Sequence, residues 1–579
     1  MAKSSEFLKK LNAFLNSMVT MWVVTYEEER FFNLLRKIAQ KNAGNGKDIY
    51  EYEVMSWSVG EGLLNMKPYL VSSNNVYRNP EPVKQFGTGI KQRITQEFGN
   101  VDMNASLDQP IVTFREAYDY IMMNSSCHTY IIKDFHNFFE KNRSDYPENV
   151  RRMRDIIFHL RTNNGNLIFL SPSADIPPDL QHDVQSLDMP RPDDGDIEDL
   201  LNVALSAMKA NNPNVEFDIN YTKNGKLVKS KNKDAEALKQ KFIYNLRGLS
   251  ETEITQVISY AAVRNFGLKE SSLEDIKESK KEKIAQFEFM EFIPTPNEVY
   301  VGGHSDFKSY IEQRGLYLDA DMRDAYNLKA PKGTLVVGIP GCGKSVLAKY
   351  VAWRWGIPLI RLDMGAIYGK YLGQSEGHLR EALRLAESNA PCVLWIDEVE
   401  KAVGTSSGDS GTSTRVFGKL LTWMSEREDM VYMYCTANNI KAIPQEFTRA
   451  GRFDTIRWAD LPTPTEAADI IKIHCKLNGL NFSQGEIDAL AKVAFYRELT
   501  GSEIEQAVKD ANFNAARKAK ETGAKIPVDY MFVHAMLETI KAWSTSHKIQ
   551  LQEWRREALN NYEFTSDEVK KIVEKALKS

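Results

Sequence analysis

Apolar and polar positions along the chain fall into two rhythms, short uninterrupted apolar runs and longer stretches with helical spacing, and the two alternate. From Pro331 the chain reads "PKGTLVVGIPGCGKSVLAKYVAW", a short apolar run, a glycine-rich turn and then a helical pattern. "PCVLWIDEVEKA" holds a second apolar run, Val393 to Ile396, closed by Asp397 and Glu398. "MVYMYCTANN" holds a third, ending at the polar set Thr436, Asn438 and Asn439. Runs that are apolar at every position suit parallel strands covered by helices on both sides, so the pattern predicts an α/β fold.

The first half carries the same series in the same order. "TMWVVTYEEERFFNLLRKIA" predicts a strand and then a helix, and "YIIKDF" stands where "LWIDEV" stands, with Lys133 and Asp134 in place of the two acids. "NLIFLSPSADIPPDL" parallels "MVYMYCTANNIKAIPQEF", and "LRGLSETEITQVISYAA" parallels "RELTGSEIEQAVKDANF". Asp134 to Ser171 is 171 − 134 = 37 positions, and Asp397 to Thr436 is 436 − 397 = 39. Matches kept in order at such spacing predict a duplicated unit. In the first copy "VEFDINYTKNGKLVKSK" adds a hairpin signal, with Asn224-Gly225 at its turn.

The two copies differ in chemistry. Gly338, Gly343, Lys344 and Ser345 have the spacing of a phosphate-binding loop between a strand and a helix. Glycines are required because backbone amides must curl inward around phosphate oxygens, where a Cβ would obstruct the turn or the ligand. Lys344 would reach the β and γ phosphates of ATP, the Ser345 hydroxyl would hold Mg²⁺, and Pro340, Gly341, Cys342 and Val346 complete the binding stretch. Asp397, at the carboxyl end of its strand, is placed to hold the Mg²⁺ water shell, and Glu398 to polarise the attacking water. In the first copy Thr25 to Arg30 contain neither a glycine nor a Lys-Ser/Thr pair, so that half is expected to bind nucleotide poorly and to serve as scaffold, adaptor or recognition domain.

The series "VYVGGHSDFK", "GIPGCGKS", "YGKYLGQSEGHLREAL", "VLWIDEVEKA", "TANN", "TRAGRFD", "EAADIIKIHC" and "LTGSEIEQAV" resembles the AAA-type ATPases of the AAA+ superfamily. With its loop-free first half, the chain resembles the AAA ATPases known from hypothetical chloroplast and cyanobacterial reading frames, met also in bacteria and phages. Ahead of a helical tail over 546–579, the resemblance implies two tandem AAA-like units: a degenerate α/β domain over 1–190, a lid-like domain and linker over 191–285, an ATPase core over 286–460 and a helical lid over 461–545. It implies further that Val301 and Gly302 contact adenine with His474 beside the base. Asn438 would align water and γ-phosphate, and Gly501 and Ser502 would bring the lid to the phosphates. Arg449 and Arg452 would be fingers reaching a neighbouring subunit's nucleotide in a ring of six, and Tyr371, Leu372 and Gly373 would line its pore and grip a protein substrate. Ile339, Cys342, Asn439 and Ala450 depart from the family's usual residues without removing a catalytic group. The thiol of Cys342 raises redox sensitivity as an expectation beside the plainer one of a small residue filling a turn. The last stretch lies outside the resemblance, and its Lys/Glu periodicity predicts two short helices and an assembly or docking tail.

The 579 residues, 42% hydrophobic and 26% charged, fit a multidomain globular protein, and a net charge of −4 gives no sign of a chain built on nucleic acid. Five scattered cysteines have no metal or disulfide spacing, and no window resembles a signal peptide or a membrane span, so a cytosolic protein is expected. Three functions stay open: a remodeller that pulls a protein substrate, a nucleotide-gated scaffold with slow turnover, and, least favoured, a nucleic-acid motor.

Overall fold

The computed structural model describes all residues except 1–2, 18–19, 45–53, 67–69, 71–79, 84–110, 125–127, 141, 173–175, 295–297, 368–374, 404–409, 440, 442, 450 and 579. The chain divides into two compact units, one of Met1–Tyr244 with Leu249–Leu268, the other of Asn245–Gly248 with Lys269–Ser579.

The first unit is built on a sheet of β1 (Thr20–Val24), β2 (Val54–Ser58), β3 (Gly62–Asn65), β4 (Glu81–Pro82), β5 (Thr129–Lys133), β6 (Asn166–Ser171) and β7 (Val184–Asp188), in the order β4-β3-β2-β5-β6-β1-β7. β2, β5, β6, β1 and β7 run parallel, and β3 and β4 are antiparallel additions at one edge. Every residue of β1, β5 and β6 is buried, which is why their sequences lack alternation. Trp22 stacks on Phe169 at 4.7 Å between centroids, and Phe135 and Phe139 close the same cluster. Beyond β7 come the helices Asp194–Asn211 and Glu251–Arg264, each opened by a reciprocal capping box, Asp193 with Asp196 and Ser250 with Glu253. Two residue pairs form β8 (Glu216–Phe217) and β11 (Gly267–Leu268). The expected hairpin is present as β9 (Tyr221–Lys223) and β10 (Lys226–Val228), and its turn residues Asn224 and Gly225 take φ of 49° and 73°, the left-handed values that a two-residue turn of this hand demands.

The second unit repeats the plan. Its strands are β12 (Met290–Ile293), β13 (Gly333–Gly338), β14 (Leu359–Leu362), β15 (Cys392–Ile396), β16 (Val431–Ala437), β17 (Thr455–Ala459) and β18 (Glu563–Phe564), in the order β12-β14-β15-β16-β13-β17-β18. The parallel run β14-β15-β16-β13-β17 is the counterpart of β2-β5-β6-β1-β7, strand for strand. Duplication is therefore visible in topology as well as in sequence, and the fold is α/β with two tandem AAA-like units. A separate bundle follows, made of helices Pro464–Leu477, Gln484–Tyr496, Gly501–Thr522 and Tyr530–Thr539 around Ile471, Leu490, Val508 and Leu537. The first three start with capping boxes, Thr463 with Glu466, Ser483 with Glu486 and Thr500 with Glu503.

The chain beyond the bundle corrects one expectation. Helices Lys548–Asn561 and Asp567–Lys578 are present, but they do not form a tail free to dock elsewhere. Between them β18 pairs in parallel with β17, and Leu551, Trp554, Phe564, Val569 and Val573 are buried in the core of the β13 sheet. The fork of Arg555 lies on Asp460 with contacts of 3.1, 3.0 and 2.5 Å, and Trp554 meets Trp458 edge to face. A strand of two residues is too short to show any period, so only the helices were legible.

Candidate active site

The site lies at the carboxyl ends of β13, β15 and β16, where an open parallel sheet presents its loops. β13 ends at Gly338, and a Cβ there would stand 2.0 Å from the Ala459 carbonyl, so neighbouring β17 admits only glycine. The turn continues through Gly341 and Gly343, with φ of 81° and 76°, into the helix Lys344–Trp355. Left-handed backbone at two positions opens a cradle with amides facing inward. Lys344 is 7% exposed and donates to the carbonyls of Gly338 and Ile339, both at 2.8 Å. Burial pulls its ammonium below the ordinary lysine pKa, a cost that an anion in the cradle would relieve. The Tyr434 hydroxyl donates to the Lys344 carbonyl at 2.7 Å and fixes the start of the helix from beneath.

Ser345 donates to Asp397 at 3.2 Å, and Thr436 donates to the same carboxylate oxygen. A hydroxyl and a carboxylate so close together are the oxygen donors that a hard divalent cation takes, so the residues fit Mg²⁺. Glu398 adopts φ of 50°, uncommon for a side chain with a Cβ, and its amide donates to the Thr436 hydroxyl at 2.9 Å. Asn438 donates its side-chain amide to Glu398 at 2.8 Å, while its backbone amide donates to Glu400 at the same length. The Lys401 ammonium pairs with the other Glu398 oxygen. The carboxylate is thus held from two sides.

Beside the cradle lies a cleft lined by Val301, Gly302, Gly341, Cys342, Gly343, Val346, His474, Gly501 and Ser502, nine of the residues expected to bind nucleotide. Ser502 donates from both its amide and its hydroxyl to the Gly341 carbonyl, at 3.0 and 3.1 Å, which ties the bundle to the loop. Burial lowers the His474 imidazole pKa. Pro340 is half-buried on the loop. Cys342 is 5% exposed and burial pushes its thiol pKa up, which opposes redox reactivity and favours the small-residue reading. Arg449 is exposed and Arg452 half-buried, and neither lines the cleft. One buried guanidinium nitrogen of Arg452 has no hydrogen-bond partner among the described residues. Tyr371, Leu372 and Gly373 lie outside the described residues, as does Ala450.

Five contributors were not anticipated. His304 takes φ of 57° at the start of the helix Ser305–Gly315 and pairs its Nδ1 with the Thr565 hydroxyl at 2.9 Å. Burial, aided by the nearby Lys308 ammonium, drops its pKa from 6.5 to about 4, so the ring is neutral at physiological pH. Lys308 donates to the Val301 carbonyl at 2.6 Å, and Asp460, Thr565 and Val569 join the cleft. The quoted "VGGHSDFK" contained His304 and Lys308 in plain view, but no spacing rule marks a histidine after two glycines.

The equivalent place in the first unit is built differently. After β1, Glu27 donates its amide to the Thr25 hydroxyl, and the helix Glu28–Gly44 opens with Glu28 and Glu29 in its first turn. The helix end that would attract phosphate is therefore faced by the chain's own carboxylates. Lys133 is held between Glu28, at 3.1 Å, and Glu61. Asp134 takes φ of 52° just past β5, as Glu398 takes 50° just past β15, a backbone trace of the common plan.

A glycine cradle, a buried lysine, a serine-aspartate pair and an asparagine-held glutamate on this strand order define an AAA ATPase, and comparison with known families agrees. Residues 334–461 match the family described as "ATPase family associated with various cellular activities (AAA)", and residues 7–189 match the "SpoVK-like AAA ATPase, N-terminal domain". The chain belongs to the AAA ATPase family. It is similar over most of its length to the "Uncharacterized AAA domain-containing protein ycf46" of Pyropia yezoensis, with 31% identity over 433 residues, 73% of this chain and 82% of that protein. The protein of the same description from Guillardia theta is 28% identical over 546 residues, 92% of this chain and 93% of its own. The "Cell division cycle protein 48 homolog" of Archaeoglobus fulgidus is 28% identical over 243 residues, 40% of this chain and 33% of its own. No helix among the described residues is long and apolar enough to cross a membrane.

Proposed function

We propose that the second unit hydrolyses ATP with Mg²⁺ and that the protein works as a ring-forming motor, of six subunits, acting on a protein substrate. The observation that carries this reading is the convergence of Ser345, Asp397, Glu398 and Asn438 at the strand ends, with Ser345 3.2 Å from Asp397 and Asn438 2.8 Å from Glu398. Bound Mg²⁺ would neutralise charge on the β and γ phosphates, held by Ser345 and Asp397. Lys344 leaves the carbonyls of Gly338 and Ile339 to meet the phosphates, exchanging two neutral acceptors for anionic ones. Glu398 orients the attacking water and accepts its proton, with Asn438 fixing the carboxylate. Val301, Gly302 and His474 form the base end of the cleft, and Gly501 and Ser502 join the bundle to the loop so that its position reports the nucleotide.

Arg449 and Arg452 fit the role of fingers for a neighbouring subunit because they lie away from the cleft of their own chain, and Arg452 carries a buried donor without a partner among the described residues. A pore grip by Tyr371, Leu372 and Gly373 rests on the family resemblance. The ion pair between Lys401 and Glu398 favours the second reading, a nucleotide-gated scaffold, because it restrains the base until it is displaced.

The test is the solution mass and turnover of Glu398→Gln in ATP-Mg²⁺ and in ADP. The expected result is loss of turnover with ATP retained, and a mass near six chains in ATP that falls in ADP. A single-chain mass in both nucleotides removes the ring, and unchanged turnover removes Glu398 as the base.

A further inference from the structure

Besides the phosphate loop and the start of the helix Gly501–Thr522, three parts of the chain wall the cleft beside the cradle. One is the glycine-bearing segment ending at His304, one is the helix Pro464–Leu477, and the third comes from the segment that follows β18. In that third wall Thr565 is 2% exposed and Val569 5% exposed, and both face the cleft. Thr565 is fixed by its backbone: its amide donates to the Trp458 carbonyl at 3.0 Å, and its own carbonyl accepts from the Phe307 amide at 3.2 Å. Its hydroxyl meets His304 Nδ1 at 2.9 Å, while the other end of the ring lies against the phosphate loop, since a Cβ on Gly343 would stand 3.2 Å from Nε2. The His304 amide donates to Glu466 at 3.0 Å. His304 thus connects, through its ring, the segment after β18 with the phosphate loop and, through its backbone amide, both with the bundle's first helix. Lys344, Ser345 and Asp397, the residues of the phosphate and metal end, do not line this cleft.

We propose that Thr565–Val569 is a wall of the base site for a purine nucleoside triphosphate, with Thr565 a positioning residue that acts through His304 and Val569 a contact for the base itself. The proposal rests on the ATP reading above and adds to it a part of the chain more than a hundred positions beyond the core strand β17. Because the wall serves the base and ribose end, it separates two affinities that a general weakening of the fold would lower together. Affinity for ATP depends on it, and affinity for tripolyphosphate, which has phosphates and no base, does not.

The experiment uses the full chain and measures Kd for ATP and for tripolyphosphate by calorimetry, with wild type, Thr565→Val, Thr565→Ser and Val569→Met. Thr565→Val keeps shape and removes the hydroxyl's two buried contacts, with His304 Nδ1 at 2.9 Å and to the Trp458 carbonyl at 3.3 Å; the first holds the ring, so ATP should bind about three- to tenfold more weakly. Thr565→Ser should restore most of that loss, and Val569→Met should weaken ATP by narrowing the base end. All four proteins should bind tripolyphosphate alike. The proposal is overturned if wild type binds ATP and both Thr565→Val and Val569→Met bind it equally well, or if ATP and tripolyphosphate weaken in parallel. Failure of wild type to bind either ligand would instead remove the ATP reading, and this proposal with it.

Discussion

Replacing Arg555 by methionine should release the segment after the bundle from the β13 sheet, and the cost can be worked from the contacts. The Asp460 side chain is 0% exposed and the Arg555 side chain 12%, so Arg555→Met strands a carboxylate with no water to receive it. Removing one partner of such a pair costs about 3–5 kcal/mol. Two other donors remain on Asp460, the Trp458 indole at 2.8 Å and the Leu461 amide at 2.7 Å, which places the cost toward the lower end. Methionine also keeps most of the apolar contact that the arginine stem makes. The assay is hydrogen exchange on peptides spanning β17 and β18, together with urea unfolding of the same protein. Arg555→Met should speed exchange at Thr565, whose amide is bonded to Trp458. Adding Asp460→Asn to that variant should recover about 2 kcal/mol, because no charge is left buried without a counter-ion. Exchange at Thr565 as slow as in wild type, or a double variant no more stable than the single one, would refute the reasoning.

Two further outcomes follow from single side chains. Lys280 is 2% exposed, faces the Phe292 ring at 4.9 Å, and has its pKa drawn by burial from 10.5 to about 7. The folded chain holds it neutral above pH 7 while the unfolded chain keeps it charged up to 10.5, so the stability it permits at high pH is lost as pH falls from 10.5 to 7. At about 1.4 kcal/mol per pH unit the loss has an upper bound of about 5 kcal/mol. Lys280→Met should therefore raise the unfolding midpoint at pH 7 and flatten its rise between pH 7 and 10, and a thermal series that keeps the wild-type slope contradicts this. Thr500→Ala removes the capping box of the helix Gly501–Thr522 and should cost about 1 kcal/mol. Slower exchange or an unchanged midpoint in that helix counts against it.

The phosphate loop, the acid pair and Asn438 were legible because each requires particular residue types at fixed distances from an apolar strand. The duplicated parallel α/β plan was legible through the repeat, while the order of strands within each sheet was not, because it depends on pairings that sequence spacing does not state. His304 was not, because its importance comes from partners 261 positions away in Thr565 and 162 away in Glu466. β18 was hidden by its length, and the helices around it carry enough Lys and Glu to read as a solvated appendage while burying Leu551, Trp554 and Val573. Lys280 sits in the charge run "KESKKEK", a composition that suits a solvated helix face and gives no sign that this one residue is buried.

The seat of β18 beside β17 also bears on how the protein is made. Glu563 emerges from a ribosome 563 − 459 = 104 residues after Ala459, so for that interval the nascent sheet presents an unpaired edge and the cleft lacks its third wall. The main sheet of the first unit, whose seven described strands all fall within the first 188 residues, has no such wait. Synthesis would thus deliver a finished partner domain before a competent one, and a polypeptide nicked or stopped ahead of Glu563 would emerge with a ragged sheet edge exposed to proteases and chaperones.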